Sequence, residues 1–299
     1  MKNFVLIGAA GYIAPRHMKA IKDTGNDLIA AYDPYDGIGI IDSYFPQASF
    51  FNEFERFDRH LEKLKRGGTN IDYVSICSPN YLHDSHIRYG LRIGANVICE
   101  KPLVLNTWNL DALIELEKEY SNKVNTILQL RHHQSILKLK DKIERGSREK
   151  VYEIDLTYIT SRGRWYFTSW KGDESKSGGI ASNIGVHFFD MLQWIFGPMQ
   201  DFSVHTKTMD TNAGSISLQR AKVDWYLSIN PENLPVTEKE RGLSTFRTLS
   251  IEGEEIDFSK GFTDLHTASY QNIIAGKGYG LLDAKNSIDI VSKIRNTVI

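Results

Sequence analysis

The chain has 299 residues, enough for two domains of ordinary size or one large one. Its 41% hydrophobic and 24% charged residues are ordinary for a soluble globular protein and argue against disorder, a fibre or a membrane protein. Lys plus Arg, at 36, nearly cancels Asp plus Glu, at 37, so there is no basic footprint for nucleic acid, and any anionic ligand has to be held by a local cluster.

At the start, Phe4-Val5-Leu6-Ile7 is too short an apolar run for a signal peptide, and no later stretch approaches a membrane span. The two cysteines, Cys77 and Cys99, each end a β-rich run, which suits reduced core thiols and a cytoplasmic protein better than a disulfide framework. No metal-ligand spacing, repeat or low-complexity tract is found.

Through the first 125 or so residues, short β-branched runs alternate with helical stretches. Phe4–Ile7, Leu28–Tyr32, Tyr73–Cys77, Asn96–Cys99 and Val124–Leu128 read as strands, the pattern of βαβ units. The runs are apolar throughout rather than alternating, as strands buried on both faces must be, so a doubly wound parallel (Rossmann) sheet is expected. Beyond Arg131 a helix over Ile136–Arg145 is followed by segments that alternate: Tyr152–Tyr158, Ser215–Ile229 and Thr245–Ile251. Alternation implies a sheet with one wet face, so the second half is expected to be α+β with a large, mainly antiparallel sheet. Ile180–Phe196, Leu265–Ala275 and the stretch from Asp283 onward read as helices. The fold class is α/β, cut into residues 1–128 and 129–299, with the last helix placed to return to the first domain.

Gly8-Ala9-Ala10-Gly11-Tyr12-Ile13 follows the first strand directly and runs into a helix. It is an imperfect G-x-G-x-x-G: Gly8 stands at the tight turn, Ala10 and Ile13 replace the second and third glycines, and Gly11 allows close approach of a pyrophosphate to a helix N-terminus. Asp33 ends the second strand, where an acid binds the adenosine ribose hydroxyls and repels a 2′-phosphate, so NAD is expected rather than NADP. The next two strands end in Cys77-Ser78-Pro79-Asn80 and Cys99-Glu100-Lys101-Pro102, and both ends line the crevice where open α/β sheets bind ligands. Asn80 and His83 read equally as cofactor contacts and as the cap and start of the next helix.

Taken together, the fingerprint, Ser78-Pro79-Asn80-x-x-His83 and Glu100-Lys101-Pro102 resemble the Gfo/Idh/MocA family of sugar dehydrogenases, and the resemblance covers the whole chain. It implies that Lys101 lies between nicotinamide and substrate as a catalytic residue, with a peptide bond to Pro102 that is often cis. Gly178-Gly179-Ile180-Ala181-Ser182-Asn183-Ile184-Gly185-Val186-His187-Phe188-Phe189-Asp190 is similar to the family's Gly-Gly-x-x-x-Asp-x-Gly-x-His-x-x-Asp helix, which adds His187 and Asn183 to the catalytic set. Four residues apart on a helix, these two share a face. The chain departs from the family at Asn183, where many members carry an acid, so either His187 or Lys101 is the base; the imidazole suits neutral pH better.

Ile7–His17 and Thr160–Tyr166 are similar to one subgroup of the family, the UDP-N-acetylglucosaminuronate 3-dehydrogenases. That resemblance implies a UDP-sugar substrate with three anionic centres, which Arg131, Arg162, Arg164 and Lys171 are expected to meet, beside Lys101, Asn183 and His187. Tyr166, with Trp165 and Trp170, is expected to stack on uracil or sugar, and His266 or Tyr270, in the segment from Phe262 to Tyr270, to close the pocket. The resemblance also implies a PLP aminotransferase that takes the 3-keto product, a place in O-antigen and lipopolysaccharide synthesis, and a homotetramer. The competing readings are a dehydrogenase of another sugar or polyol, and an NAD-binding regulator without catalysis.

Overall fold

The computed structural model describes residues 1–256 and 264–299, and the described residues fall into two compact units. One comprises those within Met1–Val104, Trp108–Gln129 and Thr263–Ala284; the other those within Leu105–Thr107, Leu130–Phe262 and Lys285–Ile299.

In the first unit the continuous apolar runs become β1 (Asn3–Ile7), β2 (Asp27–Tyr32), β3 (Ser49–Phe51), β4 (Tyr73–Ile76), β5 (Asn96–Cys99) and β6 (Val124–Thr126). All pair in parallel, in the order β3-β2-β1-β4-β5-β6. Phe4 of β1 stands opposite Leu28 on one side and Tyr73 on the other, and Phe4 through Ile7 are fully buried between helical layers. Chain order reverses at β1, so the β1 and β4 ends form the switch point at which such sheets take a ligand. The edge strand β3 is missing from the sequence reading because three half-buried residues, Ser-Phe-Phe, make too short a run to register.

The second unit carries β7 (Tyr152–Thr160), β8 (Met199–Lys207), β9 (Thr211–Leu218), β10 (Ala221–Ser228), β11 (Thr245–Ile251) and β12 (Glu254–Glu255). Their order is β12-β11-β7-β10-β9-β8, and the pairs are antiparallel except β7 with β10, where Tyr152 stands opposite Ala221 in a parallel register. The run Ser215–Ile229 is a hairpin rather than one strand: it turns at Gln219-Arg220, with Leu218 paired to Ala221. Edge strand β8 has no fully buried residue: Met199, Phe202 and Val204 only half-bury against the core, and Gln200-Asp201 interrupt the alternation, so its signature is weak. Alternate residues of β7, β9 and β10 pack against a buried segment whose core includes Phe189, Leu192 and Phe196.

The return to the first unit is made by the helix Leu265–Ile274, whose Tyr270 and Ile273 enter that unit's core. Beyond Lys285 the last helix, Leu281–Asn296, belongs instead to the second unit, because Ile290, Val291 and Ile294 bury in the same cluster as Phe189 and Trp225. Among the described residues no helix is long and apolar enough to cross a membrane.

Candidate active site

The nucleotide turn is built by strand geometry. The N–H groups of Gly8 and Ala9 both donate to the Tyr32 carbonyl, at 2.8 and 3.2 Å, which folds the chain sharply off β1. Gly8 has φ +90°, and a Cβ there would lie 2.5 Å from the backbone of Cys77 and Ser78, so no other residue fits. The following helix, Ala14–Asp23, has Pro15 in its first turn, where a missing N–H costs nothing. Asp33 is buried; its Oδ2 accepts from the Ala10 N–H and its Oδ1 from the Tyr35 N–H, both at 2.9 Å, so it braces the turn. Tyr12 projects from the turn, 84% exposed, and Ala10, Gly11 and Ile13 are half-buried.

At the end of β4, Ser78 Oγ lies 2.8 Å from Nδ1 of His86, a residue the sequence did not single out because it sits mid-helix, eight positions on. Burial, then the nearby His83, pushes the His86 imidazole down to about 4, so it is neutral at physiological pH. The buried His83 ring has Nδ1 2.8 Å from the Pro102 carbonyl oxygen and Nε2 2.9 Å from that of Ser78, and a neutral ring donates to one of them at a time. It thus braces the two strand-end loops, and it opens the helix His83–Arg92, as one of its two readings required. The buried Asn80 begins the short 3-10 turn Asn80–Leu82. Cys77 and Cys99 are free, buried thiols whose pKa burial pushes well up.

Lys101 follows β5, half-buried, and its bond to Pro102 is cis. Its backbone N–H donates to Oε2 of the buried Glu100 at 3.1 Å, and Glu100 Oε1 lies 2.8 Å from His17 Nε2 and 2.9 Å from His266 Nε2. Burial opposes the charge on Glu100, but the hydrogen bonds from His17 and His266 outweigh it and hold the carboxyl well below the usual range. Both Glu100 carboxylate oxygens are thereby engaged by the protein. His266 and Tyr270, expected to close the pocket, are both buried in the first unit, while Phe262 and Thr263 lie outside the described residues. The ligand atoms of His17, Glu100 and His266 lie within 4.8 Å of one another, a metal-like grouping invisible in the sequence because the three residues come from distant segments.

In the second unit the expected helix from Ile180 begins as a π-helical turn, Ala181–Gly185, and continues as α-helix over Val186–Phe196. The wide i→i+5 turn departs locally from the α-helical register, and such turns recur at functional sites. In residues 180–196 only Asn183, His187 and Trp194 are not buried, which leaves the two polar residues accessible on a segment that is otherwise core. Gly185 sits where a Cβ would come within 2.6 Å of Leu227, so the segment lies close upon the sheet.

Asn183 Nδ2 donates to the hydroxyl of the buried Tyr166 at 2.9 Å and to the Lys171 carbonyl at 3.4 Å. The Lys171 ammonium lies 5.4 Å over the Trp165 ring and 5.7 Å over that of Trp170, and burial, then Arg162, lowers its pKa. Tyr166, Lys171 and Asn183 are therefore brought together, with Arg162 half-buried beside them and Arg164 and Trp165 exposed. Arg131 is placed differently from the expectation. It is buried, and its guanidinium makes a two-point pair with Asp190, so its charge serves the unit's interior.

Residues 2–127 match the family model described as oxidoreductase family, NAD-binding Rossmann fold, and residues 140–217 the one described as oxidoreductase family, C-terminal alpha/beta domain. A WlbA (WbpB) dehydrogenase from Thermus thermophilus, solved in complex with NAD and alpha-ketoglutarate, is 47% identical, with a TM-score of 0.96, covering 100% of this chain and 96% of that one. The same enzyme in complex with NAD and UDP-GlcNAcA gives 46% identity, a TM-score of 0.96 and the same coverage. Glucose-6-phosphate 3-dehydrogenase of Bacillus subtilis (strain 168) is 26% identical over 237 residues, 77% of this chain and 63% of that relative, so this match spans less than two thirds of the curated relative's length.

Proposed function

This chain belongs to the Gfo/Idh/MocA oxidoreductase family, and on that premise we propose that it oxidises the C3 hydroxyl of UDP-N-acetyl-D-glucosaminuronate to the 3-keto sugar with NAD as acceptor. The observation that carries the reading is the 46% identity, over the whole chain, to a dehydrogenase whose complex holds NAD and UDP-GlcNAcA.

The first unit's residues fit that cofactor. Gly8 leaves no side chain between the turn and the Cys77–Ser78 backbone, so the chain can turn tightly off β1 and let a pyrophosphate approach its backbone closely. Each Asp33 oxygen accepts one backbone N–H and has a second lone pair for a ribose hydroxyl, while its charge repels a 2′-phosphate. When bound, NAD supplies the hydride acceptor. The protein supplies a base, a cation and orientation. His187 takes the hydroxyl proton, since an imidazole both accepts and releases protons near neutrality. Lys101 stabilises the oxygen as negative charge develops on it. Asn183 is an amide and cannot relay a proton as a carboxylate would, so its role is to orient: it ties Tyr166 to the Lys171 backbone. Arg162, Arg164 and Lys171 meet the substrate's carboxylate and phosphates, and Trp165 and Trp170 offer aromatic surface to the uracil or sugar, while Tyr166, buried in the core, does not.

The same reading places the enzyme in the cytoplasm, which its unpaired buried thiols support, as a homotetramer in lipopolysaccharide O-antigen sugar synthesis, with its ketone consumed by a PLP aminotransferase. Purified protein given NAD and UDP-N-acetylglucosaminuronate is expected to form NADH, and more of it when an aminotransferase removes the ketone. Turnover of a free sugar or polyol with none of the UDP-sugar would refute the substrate, and NAD binding without turnover of either would favour a regulator.

A further inference from the structure

Behind the Lys101 turn, within the first unit, five side chains form a line that the proposed chemistry leaves unused. Ser75 Oγ and Tyr270 Oη are 2.7 Å apart, as are Tyr270 Oη and His17 Nδ1. His17 Nε2 and His266 Nε2 both close on Glu100 Oε1, and the Lys101 N–H donates to Glu100 Oε2. Ser75, His17 and Tyr270 are 0% exposed.

Hydrogen placement follows from the acceptor at the centre. An ionised carboxylate only accepts, so both imidazoles present Nε2–H to it. Burial, the largest effect on His17, keeps that ring neutral, which leaves its Nδ1 as an acceptor. Tyr270 therefore donates to His17, and Ser75 donates to Tyr270. Every donor in the line points toward Glu100.

Two other uses can be set aside on geometry. A proton wire needs an end in water, and this line ends at Ser75 in the middle of β4, fully buried. A metal needs lone pairs converging on a shared centre, whereas both Nε2 atoms approach one carboxylate oxygen at ordinary hydrogen-bond distance. The remaining use is to fix Glu100.

We propose that His17 and His266 are positioning residues for Lys101: the two imidazoles hold the Glu100 carboxylate, and the carboxylate holds the peptide N–H from which the Lys101 side chain departs. Tyr270 and Ser75 orient His17. The inference rests on the reading of Lys101 as catalytic.

The test compares His17→Gln, His17→Leu and Tyr270→Phe in turnover of UDP-N-acetylglucosaminuronate, with NAD affinity titrated separately. His17→Leu is expected to lower kcat at least ~10-fold with NAD affinity and substrate KM within about 3-fold, while His17→Gln, which retains an N–H donor for Glu100, recovers most of the loss. Glutamine as poor as leucine, or NAD affinity falling in step with kcat, would overturn the proposal. Should His17→Leu not fold, Tyr270→Phe removes only the donor to Nδ1 and is expected to lower kcat about 3-fold or more; an unchanged kcat counts against the proposal. If the wild-type enzyme is idle on the UDP-sugar, the functional reading fails and a substrate-free measurement decides this one. Amide exchange at Lys101 is then expected to be at least ~10-fold faster in His266→Leu than in wild type, with exchange along β1 unchanged. Equal exchange at Lys101, or one divalent metal ion per chain in the purified protein by elemental analysis, would overturn it.

Discussion

Arg131 and Asp190 form a two-point ion pair inside the second unit: Nε donates to Oδ2 at 3.0 Å and Nη2 to Oδ1 at 2.7 Å. The Arg131 guanidinium also lies 5.5 Å over the Trp194 ring, a cation–π contact beside the ion pair. Asp190 closes the Gly-Gly motif that carries Asn183 and His187, so the motif's last acid anchors the helix on which the others are displayed.

A charge buried with its partner removed is costly, more so than the loss of both. Asp190→Ala is therefore expected to destabilise the protein by about 3–5 kcal/mol, while the apolar double variant Arg131→Met/Asp190→Leu stays much nearer wild type. Denaturant midpoints of the three proteins check this; a double variant as unstable as Asp190→Ala would mean that the charges themselves are needed.

Gly8→Ala is expected to abolish measurable NAD binding or weaken it at least ~10-fold, and to lower stability by about 1–3 kcal/mol, because the added carbon meets backbone and the φ of +90° is strained for alanine. Calorimetric titration with NAD and a thermal melt measure the two effects separately. Gly11→Ala is the milder comparison: its nearest contact, the Gly8 carbonyl oxygen, is at 3.2 Å, tight but without the positive φ, so it is expected to cost less stability than Gly8→Ala.

What the sequence revealed followed from local chemistry. Gly8, Asp33 and the ends of β4 and β5 stand at strand termini that apolar runs define, so their places in the first unit were legible in advance. Partners separated along the chain were not: nothing in the order of residues ties His17 to Glu100 or His266, and nothing announces that Arg131 will meet Asp190. The π-helical turn at Ala181–Gly185 was hidden for another reason. Apolar periodicity there fits an α-helix almost as well, and the wider turn follows from packing, with Gly185 close against Leu227. Edge strands β3 and β8 escaped because short or only half-buried strands lack the burial pattern that reveals the others.

Stability is expected to fall as pH drops from about 6.5 toward 4. Burial lowers the pKa of His17, His83 and His86, the last to about 4. Through that window the unfolded chain takes up protons that these folded histidines refuse, so the equilibrium moves toward unfolding, by at most about 1.4 kcal/mol per pH unit for each. Glu100 acts in the same direction at lower pH: its carboxyl is held well below the usual range, so its contribution begins to be lost only as pH falls below the unfolded carboxyl value of about 4.3. Thermal midpoints from pH 7.5 to 5 check the sign, and His86→Gln is expected to shallow the slope. A midpoint that rises on acidification would contradict the assignment.

Replacing Lys101 or His187 singly by alanine is expected to cut turnover at least ~100-fold, the lower range for removal of an acid–base group. The two losses differ in their pH dependence, and that identifies the base. If His187 takes the proton, kcat/KM falls on the acid side with a midpoint in the imidazole range, about 6.5, and the residual activity of His187→Ala loses that limb. If Lys101 takes it, the limb lies higher, survives in His187→Ala and disappears in Lys101→Ala. Asn183→Asp sharpens the comparison. A carboxylate near the imidazole favours the imidazolium and is expected to move a histidine limb upward by about one unit, leaving a lysine limb less affected. The same change takes the donor away from the Tyr166 hydroxyl and sets a negative oxygen toward the Lys171 carbonyl, so KM for the sugar is expected to rise. An upward shift of the limb together with a higher KM would assign the proton to His187 and the orienting role to Asn183; an unmoved limb would place the base elsewhere.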